Sequence, residues 1–203
     1  MANTFDARAK TWDEQPRRLQ LAADIFSALE KQIPLQRDWT TLDYGAGTGL
    51  LTFALAARVG RVVAVDSSAG MLEVLAQKAK TGGFDRVEIL RADFTKDPPP
   101  AGPFDLIASA MTLHHVADTA PLFRNFFKLL ADGGRIALAD LDAEDGTFHE
   151  HSDGIPHFGF DRAALATQLA AAGFVEIRFA AAARIEKNSR DYTVFLATAR
   201  KPT

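Results

Sequence analysis

The sequence of 203 residues has no cysteine. A disulfide framework, a thiolate zinc site and a cysteine nucleophile are therefore excluded. No apolar stretch approaches the roughly 18 residues that a membrane-spanning helix needs. The start of the chain is polar and lacks the apolar segment of a secretory signal. We therefore expect a cytoplasmic protein with no membrane partner.

Basic residues are neither in excess nor clustered. The chain has 23 Lys and Arg residues against 26 Asp and Glu residues, for a net charge of −3, and Arg17 with Arg18 is only a pair. A nucleic-acid-binding surface would favour a basic stripe with aromatic residues that stack on bases. We expect a small-molecule substrate and no nucleic acid, while the oligomeric state stays open.

An acidic residue followed by three alternating glycines stands out, in the run Asp43-Tyr44-Gly45-Ala46-Gly47-Thr48-Gly49. An apolar, strand-like run precedes it and a helix-like run follows. A second apolar run, residues 62–65, then ends in Asp66. This order is typical of nucleoside sites in doubly wound sheets. Glycine lets a ligand approach the backbone closely because it has no Cβ, and the Asp66 carboxylate can accept hydrogen bonds from ribose hydroxyls.

The loop differs from other nucleotide-binding fingerprints. The dinucleotide fingerprint places its last glycine at the sixth position, where this chain has Leu50, and the third glycine comes one place early, at Gly49. The Gly-Lys-Ser/Thr end of a phosphate-binding loop is absent as well. An NAD-dependent oxidoreductase is therefore a disfavoured alternative.

The spacing Asp-x-Gly-x-Gly-x-Gly, with an acid ending the next strand, resembles the cofactor loop of the class I S-adenosylmethionine-dependent methyltransferases. Matching segments follow in the family's order: residues 87–94 around Asp93, the strand-like run 104–110, the segment 111–116 and the turn and strand 133–140. The likeness spans residues 5–201 and is strongest to small-molecule enzymes of the ubiquinone/menaquinone-biosynthesis type.

The resemblance implies an α/β fold, with a doubly wound, mostly parallel sheet of seven strands, helices on both faces and an antiparallel last strand. It implies S-adenosylmethionine as the cofactor, with Asp93 accepting a hydrogen bond from the adenine amino group. The cofactor-binding residues that it implies are Asp43, Gly45, Ala46, Gly47, Asp66, Ser67, Met71, Asp93, Phe94 and Ala110.

We expect one domain over residues 1–203. Hydrophobic spacing predicts helices over 17–32, 49–59, 68–81, 121–130 and 161–172, and closing strands over 175–180 and 192–199. Residues 1–33 are predicted to form an arm and helix that are part of a lid, and residues 142–160 a substrate-side loop. Phe5 and Trp12 either pin this arm to the domain or contact the substrate.

Histidines are the candidate catalytic residues. His149 and His157 are candidate general bases because aromatic residues flank them, and His115 follows the strand at which the reaction takes place. His149, Glu150, His151, Asp153 and His157 also have the residue types of a metal site, although we expect no metal. Two readings apply to His114 and His115: one of them caps or packs against the next helix, or His115 lies beside the methionine moiety or the acceptor.

The sequence thus predicts methyl transfer from S-adenosylmethionine to a small molecule by in-line displacement. Such a reaction depends mainly on positioning the acceptor, and a base is needed only where the acceptor must lose a proton. A protein of the same fold that binds the cofactor without transferring methyl groups is the alternative. The acceptor atom, oxygen, nitrogen or carbon, stays open.

Overall fold

The computed structural model describes residues 5–149, 155–187 and 189–203, in which strands and helices alternate. A short 3₁₀ segment, Asp6–Glu14, comes first, and we call it the N-terminal arm. The helices are α1 (Pro16–Gln32), α2 (Leu50–Ala56), α3 (Ala69–Gly82), α4 (Thr119–Leu129) and α5 (Arg162–Ala171). The strands are β1 (Thr40–Tyr44), β2 (Arg61–Asp66), β3 (Val87–Arg91), β4 (Phe104–Ala110), β5 (Leu130–Leu141), β6 (Val175–Lys187) and β7 (Arg190–Arg200).

The strands form one seven-stranded sheet in the order β3-β2-β1-β4-β5-β7-β6. Strands β1 to β5 pair in parallel, whereas β7 runs antiparallel to both β5 and β6. This confirms the predicted fold class. The strand order reverses at β1, which pairs with β2 on one side and with β4 on the other. A crevice opens beyond the carboxyl ends of the strands at such a switch point.

The central strands are apolar on both faces because helices cover both. The four middle residues of β2, Val62 to Val65, are at most 2% exposed. One core cluster joins the sheet to α4 and α5 through residues such as Phe123 and Leu165, and the other joins it to α1 and α2 through residues such as Leu29 and Leu55. Burial on both faces explains why the strands read as continuous apolar runs.

Side chains cap the first turns of three helices. Ser68 Oγ accepts a hydrogen bond from Met71 N, and the carboxylates of Asp118 and Asp161 accept from the first turns of α4 and α5. Each side chain satisfies an N–H group that has no partner within its helix. The cap at Ser68 also fixes where α3 begins relative to Asp66, two residues earlier.

The last two strands are longer than predicted. β6 continues to Lys187 and β7 begins at Arg190, so that Ile185 pairs with Tyr192 and both are buried. Alanine favours strands weakly, so the alanine run 180–183 carries no strand signal. Ala182 and Ala183 pack against the cluster that includes α1, and this tertiary contact extends the hairpin.

Candidate functional site

A cavity of about 670 Å³ lies at the switch point of the sheet. The glycine loop after β1, the residues after β2 and β3 and the end of β4 form its floor and walls. The N-terminal arm and the first turns of α1 cover it, through Phe5, Trp12, Arg18, Leu21 and Ala22. All ten predicted cofactor-binding residues line this one cavity.

The glycine loop between β1 and α2 forms one wall of the cavity. Gly45 has φ +75°, and a Cβ there would lie 2.1 Å from Thr112 Oγ1. Gly47 has φ +55°, but a Cβ built on it meets no atom within 4 Å. The space beside Gly47 is therefore open, and only a residue without a side chain leaves it so.

Asp66 is held in one orientation by two backbone N–H groups. Gly47 N donates to its Oδ2 and Ser68 N donates to its Oδ1, each over 2.8 Å. Burial raises the pKa of Asp66, and these hydrogen bonds oppose that shift. Because each carboxylate oxygen can accept two hydrogen bonds, Asp66 retains acceptor capacity for a ligand that carries a diol, such as ribose.

Asp43 lies beneath the loop and is 1% exposed. Thr52 Oγ1 of α2 donates to Asp43 Oδ2 over 2.6 Å. Burial raises the pKa of Asp43 to about 7, against the effect of this hydrogen bond. The residue that opens the glycine motif is thus a carboxyl group that changes charge close to neutral pH.

The side chain of Asp93 accepts hydrogen bonds from residues of its own turn. Thr95 donates to Oδ1 through its N (3.0 Å) and its Oγ1 (2.6 Å), and Lys96 Nζ donates to Oδ2 over 2.7 Å. Burial opposes ionisation of Asp93, but the hydrogen bonds from Lys96 and Thr95 outweigh it and lower the pKa. Oδ2 retains acceptor capacity, so a hydrogen bond with an adenine amino group stays a prediction.

The N-terminal arm is fastened at both ends by carboxylates. Asp6 Oδ1 accepts from Ser68 Oγ (2.6 Å) and from Gly70 N (2.9 Å) at the start of α3. At the other end, Asp13 accepts from Thr48 Oγ1 (2.6 Å) on the glycine loop and from Lys78 Nζ (2.7 Å) on α3. The arm therefore spans the cavity, and its cover depends on charged contacts at both ends.

The aromatic residues of the arm face the cavity and contact each other. The rings of Phe5 and Trp12 lie 5.8 Å apart edge to face, and the ring of Phe5 lies 5.1 Å from that of His115. Both residues line the cavity. They are therefore placed both to hold the arm and to contact a ligand. The sequence predicts these two roles as alternatives.

The two adjacent histidines have different surroundings. His114 is 2% exposed; its Nδ1 lies 2.6 Å from Asp140 Oδ1, and its backbone N donates to Oδ2 of the same carboxylate. His115 lines the cavity, with its ring 4.1 Å from that of His114. Burial and the neighbouring His114 lower the pKa of His115 to about 3. His115 is therefore neutral at pH 7 and is a weak base.

The other two candidate catalytic histidines do not line the cavity. The ring of His149 lies 5.1 Å from that of His114, and its Nε2 is buried without a hydrogen-bond partner in the part of the chain that the structure describes. Nε2 of His157 lies 3.0 Å from Val116 O and 3.2 Å from Ala117 O. A catalytic role for either stays a prediction, and it requires a substrate that reaches beyond the cavity.

Part of the predicted histidine-rich segment lies outside the described residues, namely Glu150, His151 and Asp153. Among the residues that are described, no group of three or more His, Cys, Asp or Glu side chains could hold a metal ion. Within the same residues, no helix is long and apolar enough to cross a membrane.

Three functional candidates were missed by sequence reasoning. Asp6 and Asp13 carry no local signal, because the groups that they bind lie on α3 and the glycine loop. Arg18 stands out in the sequence only as one half of a basic pair, and α1 brings it to the cavity. Helical spacing indicates that Arg18, Leu21, Ala22 and Ile25 share a face, but not what that face covers.

The sequence is similar to those of known methyltransferases. A sequence model of the methyltransferase domain matches residues 41–134. The chain carries a methyltransferase domain. The match confirms the resemblance found in the glycine loop. The predicted cofactor, S-adenosylmethionine, is bound in a solved structure of this fold, a phosphoethanolamine N-methyltransferase of Haemonchus contortus with a TM-score of 0.75 at 17% identity, over 100% of this chain and 61% of that one.

Relatives and solved structures agree with the methyltransferase domain. An uncharacterised methyltransferase of Geobacillus kaustophilus is 32% identical over 149 residues, which are 71% of this chain and 65% of that protein. A demethylmenaquinone methyltransferase of Clavibacter sepedonicus is 38% identical over 49% of this chain and 40% of its own. A SAM-dependent methyltransferase from Aquifex aeolicus superposes with a TM-score of 0.73 at 23% identity, over 96% of this chain and 97% of that one. The chain thus spans less than two thirds of the length of these sequence relatives.

The buried Asp43 predicts a distinctive pH dependence of stability. In the unfolded chain an Asp releases its proton near pH 3.9, whereas Asp43 in the fold keeps it up to about pH 7. Its contribution to stability is therefore fully present below the unfolded pKa and is lost as the pH rises through 7. The variant Asp43→Asn does not ionise, so its stability relative to the parent should rise by about 2 kcal/mol from pH 5 to pH 7.5.

Urea unfolding of both proteins at the two pH values measures this difference. The variant Asp38→Asn, at an exposed position away from the cavity, is the matched control and should show no such trend. A stability difference between Asp43→Asn and the parent that stays constant with pH would contradict the prediction.

The arm contacts predict that one ion pair keeps the cover closed. The variant Asp13→Asn loses the charged contact with Lys78, so the arm should open more often and trypsin should cut after Arg8 or Lys10 about tenfold faster. Mass spectrometry of timed digests measures the rate, and circular dichroism checks the fold. The neighbouring variant Glu14→Gln, at an exposed position, should be cut at the parental rate; equal rates in all three proteins would show that Asp13 does not hold the arm.

Proposed function

We propose that this protein transfers a methyl group from S-adenosylmethionine to a small-molecule acceptor by in-line displacement. The observation that carries the proposal is the Asp66 carboxylate, held by Gly47 N and Ser68 N on the wall of the cavity, beside the open space at Gly47. This arrangement suits a nucleoside ligand that packs against the backbone of the glycine loop while its ribose hydroxyls donate to Asp66.

The adenosine end of the donor fits the remaining walls. Met71, Ala92 and Phe94 supply apolar surface for a base next to Asp66 and Asp93. The bound donor would supply an activated methyl group on a sulfonium. The chain's own residues would hold the acceptor in line with that group and exclude water, which is where most of the acceleration in such a reaction arises.

The cover of the cavity indicates the class of acceptor. Phe5, Trp12, Leu21, Ala22 and Met111 give the cavity an apolar and aromatic side. The guanidinium groups of Arg8 and Arg18 already lie over the Trp12 ring, at 5.4 and 3.6 Å from its centroid. A cationic acceptor would be repelled there, so we propose a neutral or anionic small molecule with an apolar part.

The weakness of His115 as a base bears on the chemistry of the acceptor. His115 is the one histidine among the described residues of the cavity wall, and its pKa of about 3 makes it a poor proton acceptor. We therefore propose that the acceptor atom is nucleophilic without the help of His115. The three catalytic histidine assignments and a cytoplasmic location stay predictions.

Calorimetric titration tests donor binding. The purified chain should bind S-adenosylhomocysteine and should not bind NAD, and Asp66→Asn should weaken S-adenosylhomocysteine binding by about ten- to a hundredfold, as expected for loss of charged hydrogen bonds. Asp85→Asn, at an exposed turn, should bind like the parent. Binding of NAD without S-adenosylhomocysteine would refute the proposal.

A transfer assay separates catalysis from binding alone. Incubation with donor labelled in the methyl group and a library of neutral and anionic metabolites should label at least one compound, with none labelled by boiled protein. Tight donor binding without transfer to any compound would favour the alternative, a non-catalytic protein that binds the cofactor on the same fold.

A further inference from the structure

A buried carboxylate at the end of β5 holds the segment that follows β4. Asp140 is 0% exposed. Its Oδ2 accepts from His114 N over 3.2 Å, and its Oδ1 accepts from Leu141 N over 2.8 Å. Nδ1 of His114 lies 2.6 Å from the same Oδ1. Because both oxygens already accept from backbone N–H groups, we assign the proton between these two side chains to Nδ1. Three donors thus satisfy a carboxylate that water does not reach.

The backbone between β4 and His114 is fixed as well. Met111 has φ +55°, in the left-handed region that residues with a Cβ rarely adopt. Its N–H donates to Ala139 O over 2.8 Å, one residue before Asp140. Such a conformation persists only where the surrounding structure determines it. β5 therefore holds this segment at two points, and the 3₁₀ turn Leu113–His115 lies directly against it.

This turn places the ring of His115 in the wall of the cavity. The ring lies 4.1 Å from that of His114 and 5.1 Å from that of Phe5, which it meets edge to face. No hydrogen bond joins the ring of His115 to any other residue in the ranges that the structure describes. A neutral imidazole has one N–H donor and one nitrogen acceptor. Both are therefore available to a ligand in the cavity.

The order of the strands places His115 on the acceptor side of the cavity. The contacts proposed for adenine and ribose involve Asp93, which follows β3, and Asp66, at the end of β2. In the sheet order β3-β2-β1-β4, the reacting end of the donor then lies towards β4. Ala110 at the end of β4 and His115 five residues later both line the cavity. An acceptor that approaches from this side meets the ring of His115.

We propose that Asp140 and His114 position the ring of His115 for a hydrogen bond to the methyl acceptor, an inference that rests on the proposed function. Asp140 fixes the plane of the His114 ring, against which the ring of His115 lies. The hydrogen bond holds the acceptor in line with the methyl group and moves no proton. Asp140 and His114 do not line the cavity, so they are positioning residues. Acceptors with a hydroxyl, amide or carbonyl group beside the reacting atom fit this contact.

A double-mutant cycle tests whether Asp140 acts through His115. The acceptor probe is the compound that the transfer assay labels most strongly. Asp140→Asn places an amide against Nδ1 of His114 and should lower kcat/KM for this compound about ten- to a hundredfold, as expected for a displaced reactant. The Kd of S-adenosylhomocysteine should stay within about twofold of the parent. In the His115→Phe background, Asp140→Asn should have no further effect, because the group that Asp140 positions is gone.

A second variant and a control complete the cycle. If Asp140→Asn does not fold, His114→Asn replaces it: its amide nitrogen can take the place of Nδ1, but the ring beside His115 is lost, so kcat/KM should fall in the same way. Asp105→Asn is the matched control, since Asp105 also accepts from a backbone N–H, that of Thr40, at the opposite end of β4. It should transfer like the parent. Equal losses from Asp140→Asn with and without His115 would overturn the proposal, because Asp140 would then only support the fold.

Nuclear Overhauser measurements test the position of His115 without an acceptor. In the complex with S-adenosylhomocysteine, the ring protons of His115 and Phe5 should show cross-peaks in the parent and in Asp105→Asn. These cross-peaks should weaken in Asp140→Asn and His114→Asn, and equal intensity in all four proteins would overturn the proposal. A parent that binds no S-adenosylhomocysteine would instead refute the proposed function, and cross-peaks in the free proteins would still decide whether Asp140 positions His115.

Discussion

The hydrogen bonds that Asp66 accepts from Gly47 N and Ser68 N are the contacts on which the site depends. They join the loop after β1 to the start of α3, so one carboxylate at the end of β2 sets the shape of the floor of the cavity. Burial disfavours a charge there and raises the pKa of Asp66, and the two N–H groups offset part of that effect. A ligand's hydroxyl groups then meet an acceptor whose position is already fixed.

Charge is distributed unevenly along the cavity. Asp43, Asp66 and Asp93 line the cavity below its cover, whereas Arg18 belongs to the cover and His115 is a neutral ring in the cavity wall. The arm of this cover is attached through the carboxylates of Asp6 and Asp13 at its two ends. Contacts of this kind exchange with water at moderate cost, which suits a segment that must open when a donor enters or its product leaves.

Sequence reasoning succeeded where function lies in consecutive residues and failed where it lies between distant ones. Gly45, Gly47 and Asp66 are local signals, and the structure brings them together at one cavity as expected. The length of β6 depends on packing against α1, to which its alanine run gives no clue. The positions of His149 and His157 outside the cavity depend on the path of the chain after β5, which residue type does not encode.

The sequence by itself determined the doubly wound sheet, its switch point and the ligand class, because hydrophobic periodicity and glycine conformations act within a few residues of each other. Tertiary structure alone decided which charges share the cavity. Asp13 meets Lys78 and Thr48 only because the arm folds back across the carboxyl ends of the strands. Such contacts join residues up to 65 positions apart, and Coulomb interactions depend on distance in space rather than on distance along the chain.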